Sequence, residues 1–418
     1  MMHPIPTYVV NLKKRTDRKE NITKEFAGRD EFDVHIVEAM EHSRGAMGLW
    51  LTILHILRDR VDPGSEFILL CEDDHQFTPH YSPALLDACI EEARELDADV
   101  LSGGVSWFDD CFKASDRLFW VRKFSGLQFT ILFRRCFDTL LNAEFGPKDV
   151  ADYKIADITA NKFVIFPFIS MQRDYGYSDA TPHNNIDGEV EKYFVTSDEH
   201  LQRLRDVGVF YRDSSGLGPA EYDYDSIVLP VYLINPVDPH LARAPFAGKG
   251  EFEVFIEEGP VHPVEEVRRW MGIRQAVQKA VAADDDVIVI SEGPHAFPPD
   301  YSRSYLLRNI IEAHEQGAGL LFGSAATFGH AVPVTKNRFW INSFWHSSLV
   351  VLYRKVFPLI LEHPFDDSIL TDDALSNVTS NKVLLFPFVS LDKDFERAVT
   401  RLTSLQHTFL SYVPAVHG

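Results

Sequence analysis

No stretch of this chain approaches the roughly 20 consecutive apolar residues that a membrane-spanning helix needs, and its first residues lack the apolar core of a signal peptide. The sequence therefore reads as that of a cytoplasmic protein. Positive charge is also scarce: 41 Lys and Arg stand against 62 Asp and Glu, a formal net charge of −21. Such a field repels a nucleic-acid backbone or an anionic bilayer, so neither is the expected partner. Cysteine is sparse as well. Cys71, Cys89, Cys111 and Cys136 all lie in the first half without metal-binding spacing, as expected of free thiols in a reducing compartment. What is present is ordinary globular material, 45% hydrophobic and 25% charged over 418 residues, enough for two domains that each bury a core.

The most informative stretch is Phe67-Ile68-Leu69-Leu70-Cys71-Glu72-Asp73-Asp74. An uninterrupted apolar run reads as a strand buried on both faces, and this one ends in three adjacent carboxylates. Like charges so close repel unless water or a cation relieves them, and a hard divalent cation with oxygen ligands is suited to that task. In an α/β sheet, the crevice beyond the strand ends is also where ligands bind.

Around this stretch, strands and helices alternate. Pro6 to Leu12 reads as a strand, Arg18 to Phe26 as a helix, Val34 to Val37 as a strand and Gly45 to Leu57 as an apolar helix closed by Asp62-Pro63-Gly64. Pro83 to Asp97 reads as a surface helix and Val100 to Val105 as a buried strand. This order predicts an α/β fold with a mostly parallel sheet flanked by helices.

The chain also repeats itself. A shift of 220 residues lays Cys71–Ser170 on Ser291–Ser390 without a gap, and 31 of the 100 paired positions are identical, which marks a tandem duplication. With a small change of offset, Pro6 to Asn11 matches Pro230 to Asn235, and Met47-Gly48 is paired with Met271-Gly272. The expected division is a first domain at 1–212, a linker at 213–226 and a second domain at 227–418.

The two copies differ where chemistry would be done. Glu72 persists as Glu292, but Asp73-Asp74 becomes Gly293-Pro294. Asp109-Asp110 becomes Gly329-His330, Gly126 becomes His346, Gln128 becomes Ser348, Asp157 becomes Asn377 and Gln172 becomes Asp392. Arg15 and Arg18 have no evident cationic counterparts near Asn235-Pro236-Val237-Asp238-Pro239. The first copy is thus expected to be active and the second a degenerate, non-catalytic scaffold. Carboxylates at the end of a central strand, beside a cationic loop, suit a nucleotide-diphosphate ligand bridged by a metal.

Tyr8-Val9-Val10-Asn11-Leu12 with Arg15 and Arg18, then Gly45-Ala46-Met47-Gly48, then the strand ending Glu72-Asp73-Asp74, together resemble glycosyltransferase family 25. That family includes lipopolysaccharide, lipooligosaccharide and collagen galactosyltransferases. Gly126 ahead of an apolar strand, the helix ending Leu140-Leu141, and Pro167, Gln172 and Ser178-Asp179 extend the resemblance over residues 5 to 180. It implies a GT-A fold, a UDP-sugar donor, a divalent cation such as Mn2+, and inversion at the anomeric carbon. The chain departs from the family at Leu49, Thr52 and Ile53, where Cys and then Ser-His are usual, and at Leu127, where Gly-Thr is usual.

On this reading Asp74, with Asp73 and Glu72, holds the metal, and Glu72 and Asp73 also lie near the ribose or sugar. Asn11, Arg15, Arg18, Gly126, Gln128 and Gln172 contact the donor, Gly126 by letting the sugar approach the backbone. Three carboxylates compete as general base: Asp110, Asp157 and Asp152, the last kept as Asp372 and so better suited to a structural part. His183 is a candidate late metal ligand. His75, repeated as His295, and the repeated Phe119-Trp120 and Phe166-Pro167-Phe168 read as structural. The expected activity is transfer of a hexose, galactose by the resemblance, to a hydroxyl acceptor on a glycan or protein. The second copy would position the acceptor or mediate assembly, including a homodimer. The competing readings are a non-catalytic glycan- or partner-binding protein that keeps the fold, and a nucleotidyltransferase or phosphosugar enzyme with a carboxylate-bound metal.

Overall fold

Strand β1 (Ile5–Asn11), helix α1 (Thr16–Phe26), strand β2 (Phe32–Glu38), helix α2 (Gly45–Asp59) and strand β3 (Phe67–Glu72) open the chain. They belong to a computed structural model that describes residues 4–175, 188–213, 223–293, 295–391 and 393–412. The chain divides into two compact units, Met1–Asp206 and Val207–Gly418. The helix Glu189–Asp213 runs through that division, and positions 214–222 of the expected linker lie outside the described residues.

In the first unit an eight-stranded sheet runs, from one edge, β2, β1, β3, Phe129–Phe133, Val100–Ser102, Lys162–Ile165, Leu118–Val121 and Cys111–Lys113. Six of the eight point the same way. Only Phe129–Phe133 and Leu118–Val121 run against them, which gives the mostly parallel α/β sheet that the alternation predicts. Ile68, Leu69, Leu70 and Cys71 have no solvent exposure, so β3 is covered on both faces. The strand stops at Glu72, and Asp73-Asp74 make the turn before the short strand His75–Phe77, which pairs with Ser170–Gln172. The parallel register sets Val10 beside Glu72, so the carboxyl ends of β1 and β3 arrive together.

Helix α2 buries Trp50, Ile53, Ile56 and Leu57 at three- and four-residue spacing, one stripe facing the core. The next helix, Pro83–Glu95, starts as its sequence demands, with Pro83 in the first turn and the Ser82 hydroxyl accepting from Leu85 N at 3.2 Å. His75 is buried, with Nδ1 2.8 Å from Ser170 Oγ, among Phe26, Phe77 and Phe129.

The second unit repeats the sheet in the same order and directions: Phe252–Glu257, Leu229–Ile234, Val287–Glu292, Leu349–Tyr353, Leu320–Phe322, Lys382–Leu385, Arg338–Ile341 and Ala331–Pro333. It also repeats the buried histidine, His295 on Ser390 at 2.6 Å. The offset changes within it. Ile5 pairs with Phe32 and Leu229 with Phe252, so the second unit is four residues shorter between its first two strands, where α1 carries Arg15 and Arg18 at its start. Beyond that point the shift is 220.

This register corrects the pairing of Met47-Gly48 with Met271-Gly272. Trp50 stacks on Phe145 at 4.9 Å and 15°, and Trp270 stacks on Phe365 at 5.0 Å and 12°, so Trp50 and Trp270 are equivalent. The glycine has changed sides of one close contact. In the first unit a Cβ on helical Gly48 would lie 2.4 Å from Met40 O; in the second, a Cβ on loop residue Gly259 would lie 2.5 Å from Arg268 O. Either partner can be the one without a side chain, which is why matching glycine to glycine misplaces the helix.

Candidate functional site

The site lies where β1, β3 and α1 meet. Arg15 precedes the helix and Arg18 sits in its first turn, so both reach over the carboxyl ends of the strands. Asp73 is the hub. Its Oδ2 accepts from Asn11 Nδ2 at 2.9 Å, and its Oδ1 faces Arg18 Nη1 at 3.3 Å and Arg15 Nη1 at 3.5 Å. Arg18 Nη1 also lies 3.4 Å from Asp74 Oδ2, and the Arg18 guanidinium covers the Tyr175 ring at 4.4 Å. The acidic turn is therefore tied to cationic side chains of the same unit, and Asp73, 3% exposed, is fully engaged by them.

Glu72 and Asp74 differ from Asp73. Asp74 Oδ1 is buried with no hydrogen-bond partner among the described residues. Burial, then the nearby Asp73 charge, push its carboxyl up to about 7 against the opposing pull of Arg18 and Arg15. Burial, followed by the charges of Asp74, Asp73 and Asp152, also raises Glu72 well above the usual carboxylate range. Both face a cavity of 150 Å³ that Asp152, Gln172, Gly126 and Ser125 also line. A second cavity of 310 Å³ adjoins it, bounded by Arg15, Asp73, Lys14 and the segment from Ala39 to Ser43. Leu49 and Glu72 line both, so they stand at the seam.

Gly126 takes a φ of +115°, and a Cβ there would come within 2.8 Å of Gln128 Oε1. Gln128 is fully buried behind it, donating to Gly104 O at 2.7 Å, and so supports the wall and does not line either cavity. Asn11 likewise holds Asp73 and the Arg15 carbonyl.

The three base candidates separate. Asp110 has no solvent exposure and faces Arg122 Nε at 3.1 Å. Asp157 is half exposed and paired with Lys123 at 2.6 Å. Neither lines either of these two cavities, so neither is placed to deprotonate a hydroxyl bound there. Asp152 does line the smaller cavity, at the start of the helix Ala151–Ile158, and accepts from Ser125 Oγ at 2.7 Å and Gly126 N at 3.1 Å. Its counterpart Asp372 accepts from His346 N at 2.8 Å, so holding this turn is shared by both units. His183, Ser178 and Asp179 lie outside the described residues. Sequence reasoning missed Tyr175 and the seam position of Leu49, because both reach the site through contacts between residues far apart in the chain, Tyr175 under Arg18 and Leu49 beside Glu72.

Among the described residues no group of three or more His, Cys, Asp or Glu side chains is arranged to hold a metal ion. The expected triple ligand set is thus divided by its surroundings: Asp73 is taken up by Arg15, Arg18 and Asn11, while the unpartnered Asp74 Oδ1 and the Glu72 carboxyl share the cavity. Carboxylate oxygens are hard ligands of the type a divalent cation takes, and two carboxylates alone would leave most of its ligands to be supplied from outside the protein.

No family model matches the chain, and no curated protein matches it. Solved structures similar to it include A197 from STIV, at 10% identity over 42% of this chain and 87% of that one, TM-score 0.30. UDP-glucose pyrophosphorylase complexed with UDP-glucose is 14% identical over 45% of this chain and 81% of its own, TM-score 0.28. Mannose-1-phosphate geranyltransferase from Thermus thermophilus is 10% identical over 75% of this chain and 99% of its own, TM-score 0.28. Likeness at this level carries no functional inference. No described helix is long and apolar enough to cross a membrane.

Proposed function

We propose that the first unit is a metal-dependent, inverting glycosyltransferase that moves a hexose from a UDP-sugar to a hydroxyl of a glycan or protein. The observation that carries this reading is the pair of adjoining cavities at the ends of β1 and β3, with Arg15 and Arg18 beside the acidic turn. The larger would take the nucleoside and the smaller the sugar, leaving the diphosphate between the arginines and Asp74. Asp74, whose Oδ1 has no hydrogen-bond partner among the described residues, would hold the divalent cation, which when bound neutralises charge on the diphosphate leaving group. Arg15 and Arg18 add fixed positive charge along the same path. The acceptor oxygen bonds to the anomeric carbon, the bond from that carbon to the diphosphate oxygen breaks, and the hydroxyl proton passes to a carboxylate of the cavity. Galactose is the hexose that the family 25 resemblance favours. The second unit lacks the arginine-bearing turn and both aspartates, which supports a non-catalytic role for it.

Incubation of the intact chain with UDP-sugars and Mn2+ tests the reading: UDP should be released, faster with a hydroxyl acceptor, and Asp74→Ala should abolish it. Release of pyrophosphate would instead identify a nucleotidyltransferase. Binding without any release would identify a module that keeps only the fold.

A further inference from the structure

At the helix position of the first unit's Leu49, the second unit carries Arg269, since Trp50 and Trp270 are equivalent and each follows it directly. The Arg269 guanidinium bridges two carboxylates: Nε donates to Glu292 Oε2, and Nη2 donates to Asp372 Oδ1 at 2.7 Å. Glu292 is the counterpart of Glu72, each closing a strand in the same register with the first strand of its unit. Asp372 is the counterpart of Asp152, each accepting from the backbone N–H of the residue after the preceding short strand. One nitrogen cation therefore satisfies both acids in the second unit, and it comes from the chain itself.

In the first unit the same two acids line one cavity, and Leu49 brings no charge to them. No hydrogen bond or ion pair to the Glu72 carboxylate is found among the described residues. Arg18 and Arg173 line the same cavity but reach other acids, Arg18 pairing with Asp73 and Asp74 and Arg173 with Glu25, whereas the duplicated unit shows a group that bridges the equivalents of Glu72 and Asp152. Leu49, Ala46 and Leu127 also line the cavity and offer apolar surface for the alkyl stem of an organic cation.

We infer that Glu72 and Asp152 form a seat for a nitrogen cation, a primary ammonium or guanidinium group, and that Arg269 is the built-in occupant of the equivalent seat in the second unit. The second unit is then self-liganded, and the first takes this group from a ligand. The seat itself does not rest on the transferase reading.

The seat is tested without nucleotide or sugar, by calorimetric titration of the intact chain with methylguanidinium. The expected stoichiometry is one site in the natural chain, none in Leu49→Arg, where the new guanidinium fills the seat, and two in Arg269→Leu. Glu72→Gln and Asp152→Asn should each weaken binding about tenfold or more, the loss that follows removal of one partner of a desolvated charge pair. A stoichiometry indifferent to both helix substitutions, or no binding at all, overturns the inference. So does uptake of Mn2+ that Leu49→Arg abolishes, with no uptake of methylguanidinium, which would make the seat a metal site. A chain that binds methylguanidinium but releases no UDP keeps the seat and loses the transferase reading; the opposite result does the reverse.

Discussion

Arg18 and Asp73 meet at 3.3 Å with side chains that are each 4% exposed, which makes them a buried ion pair at the start of α1. Burying two charges is costly, and the pair is stable because Asn11 and Arg15 supply further donors to the same carboxylate. Removing one partner leaves the other buried and uncompensated. Arg18→Met and Asp73→Asn should each lower the unfolding free energy by about 3 kcal/mol. The double variant should lose less than the sum, as urea denaturation of the intact chain would show.

Asp74 should make cation and donor affinity depend on pH. Its carboxyl is pushed up to about 7, so near neutrality part of the population is protonated and must lose that proton to bind a cation. Affinity for Mn2+ should therefore rise as pH increases through 7, with proton release visible as a dependence of calorimetric heat on the buffer. Asp74→Asn should abolish both effects. The stability linkage has the opposite sense: a folded-state value raised from 3.8 to about 7 favours the cation-free folded chain at low pH, and that contribution is lost as pH rises through this window.

The two buried histidines act the other way. Burial holds His75 near 3 and His295 near 4, with Arg29 and Lys249 adding to the effect, against 6.5 in the unfolded chain. Below 6.5 the unfolded chain takes up protons that the folded chain refuses, so their contribution is present above 6.5 and lost as pH falls toward 4 and then 3. His75→Gln and His295→Gln should each flatten the slope of unfolding free energy against pH between 4 and 6.5, measured in chemical denaturation at stepped pH.

How much of this was legible in the sequence depends on the range of the interaction concerned. The β3 run and the α/β alternation are local patterns, and the structure carries them as read; the duplication is legible because its two copies keep the same residues in the same order, although the register of one helix needed the structure. Asp110 competes as general base in the sequence alone, but its burial against Arg122 depends on chain folding back from Leu118–Val121. The bridge from Arg269 to Glu292 and Asp372 joins residues 23 and 103 positions apart, and no local pattern announces it. Pairing the wrong glycines hid it further, because Gly48 and Gly259 lie on opposite sides of their contact.

The fate of the three base candidates should follow their places in the fold. Asp157 is half exposed and its pair with Lys123 is screened, so Asp157→Ala should change stability by no more than about 0.5 kcal/mol and leave UDP release unchanged. Asp110 is sealed against Arg122, so Asp110→Asn should destabilise by about 3 kcal/mol, while the chain that remains folded turns over normally. Asp152 does two things: it fixes the Ser125-Gly126 turn and presents its charge to the cavity. Asp152→Asn keeps an acceptor oxygen for the turn and removes the charge, whereas Asp152→Ala removes both. If the turn alone matters, Asn should behave like the natural residue; if the charge matters, both variants should lose turnover about a hundredfold, and only Ala should also lose about 1–3 kcal/mol of stability. The site geometry favours the second outcome, because Asp152 shares its cavity with Glu72 and Asp74, and steady-state UDP release set beside urea denaturation separates the two.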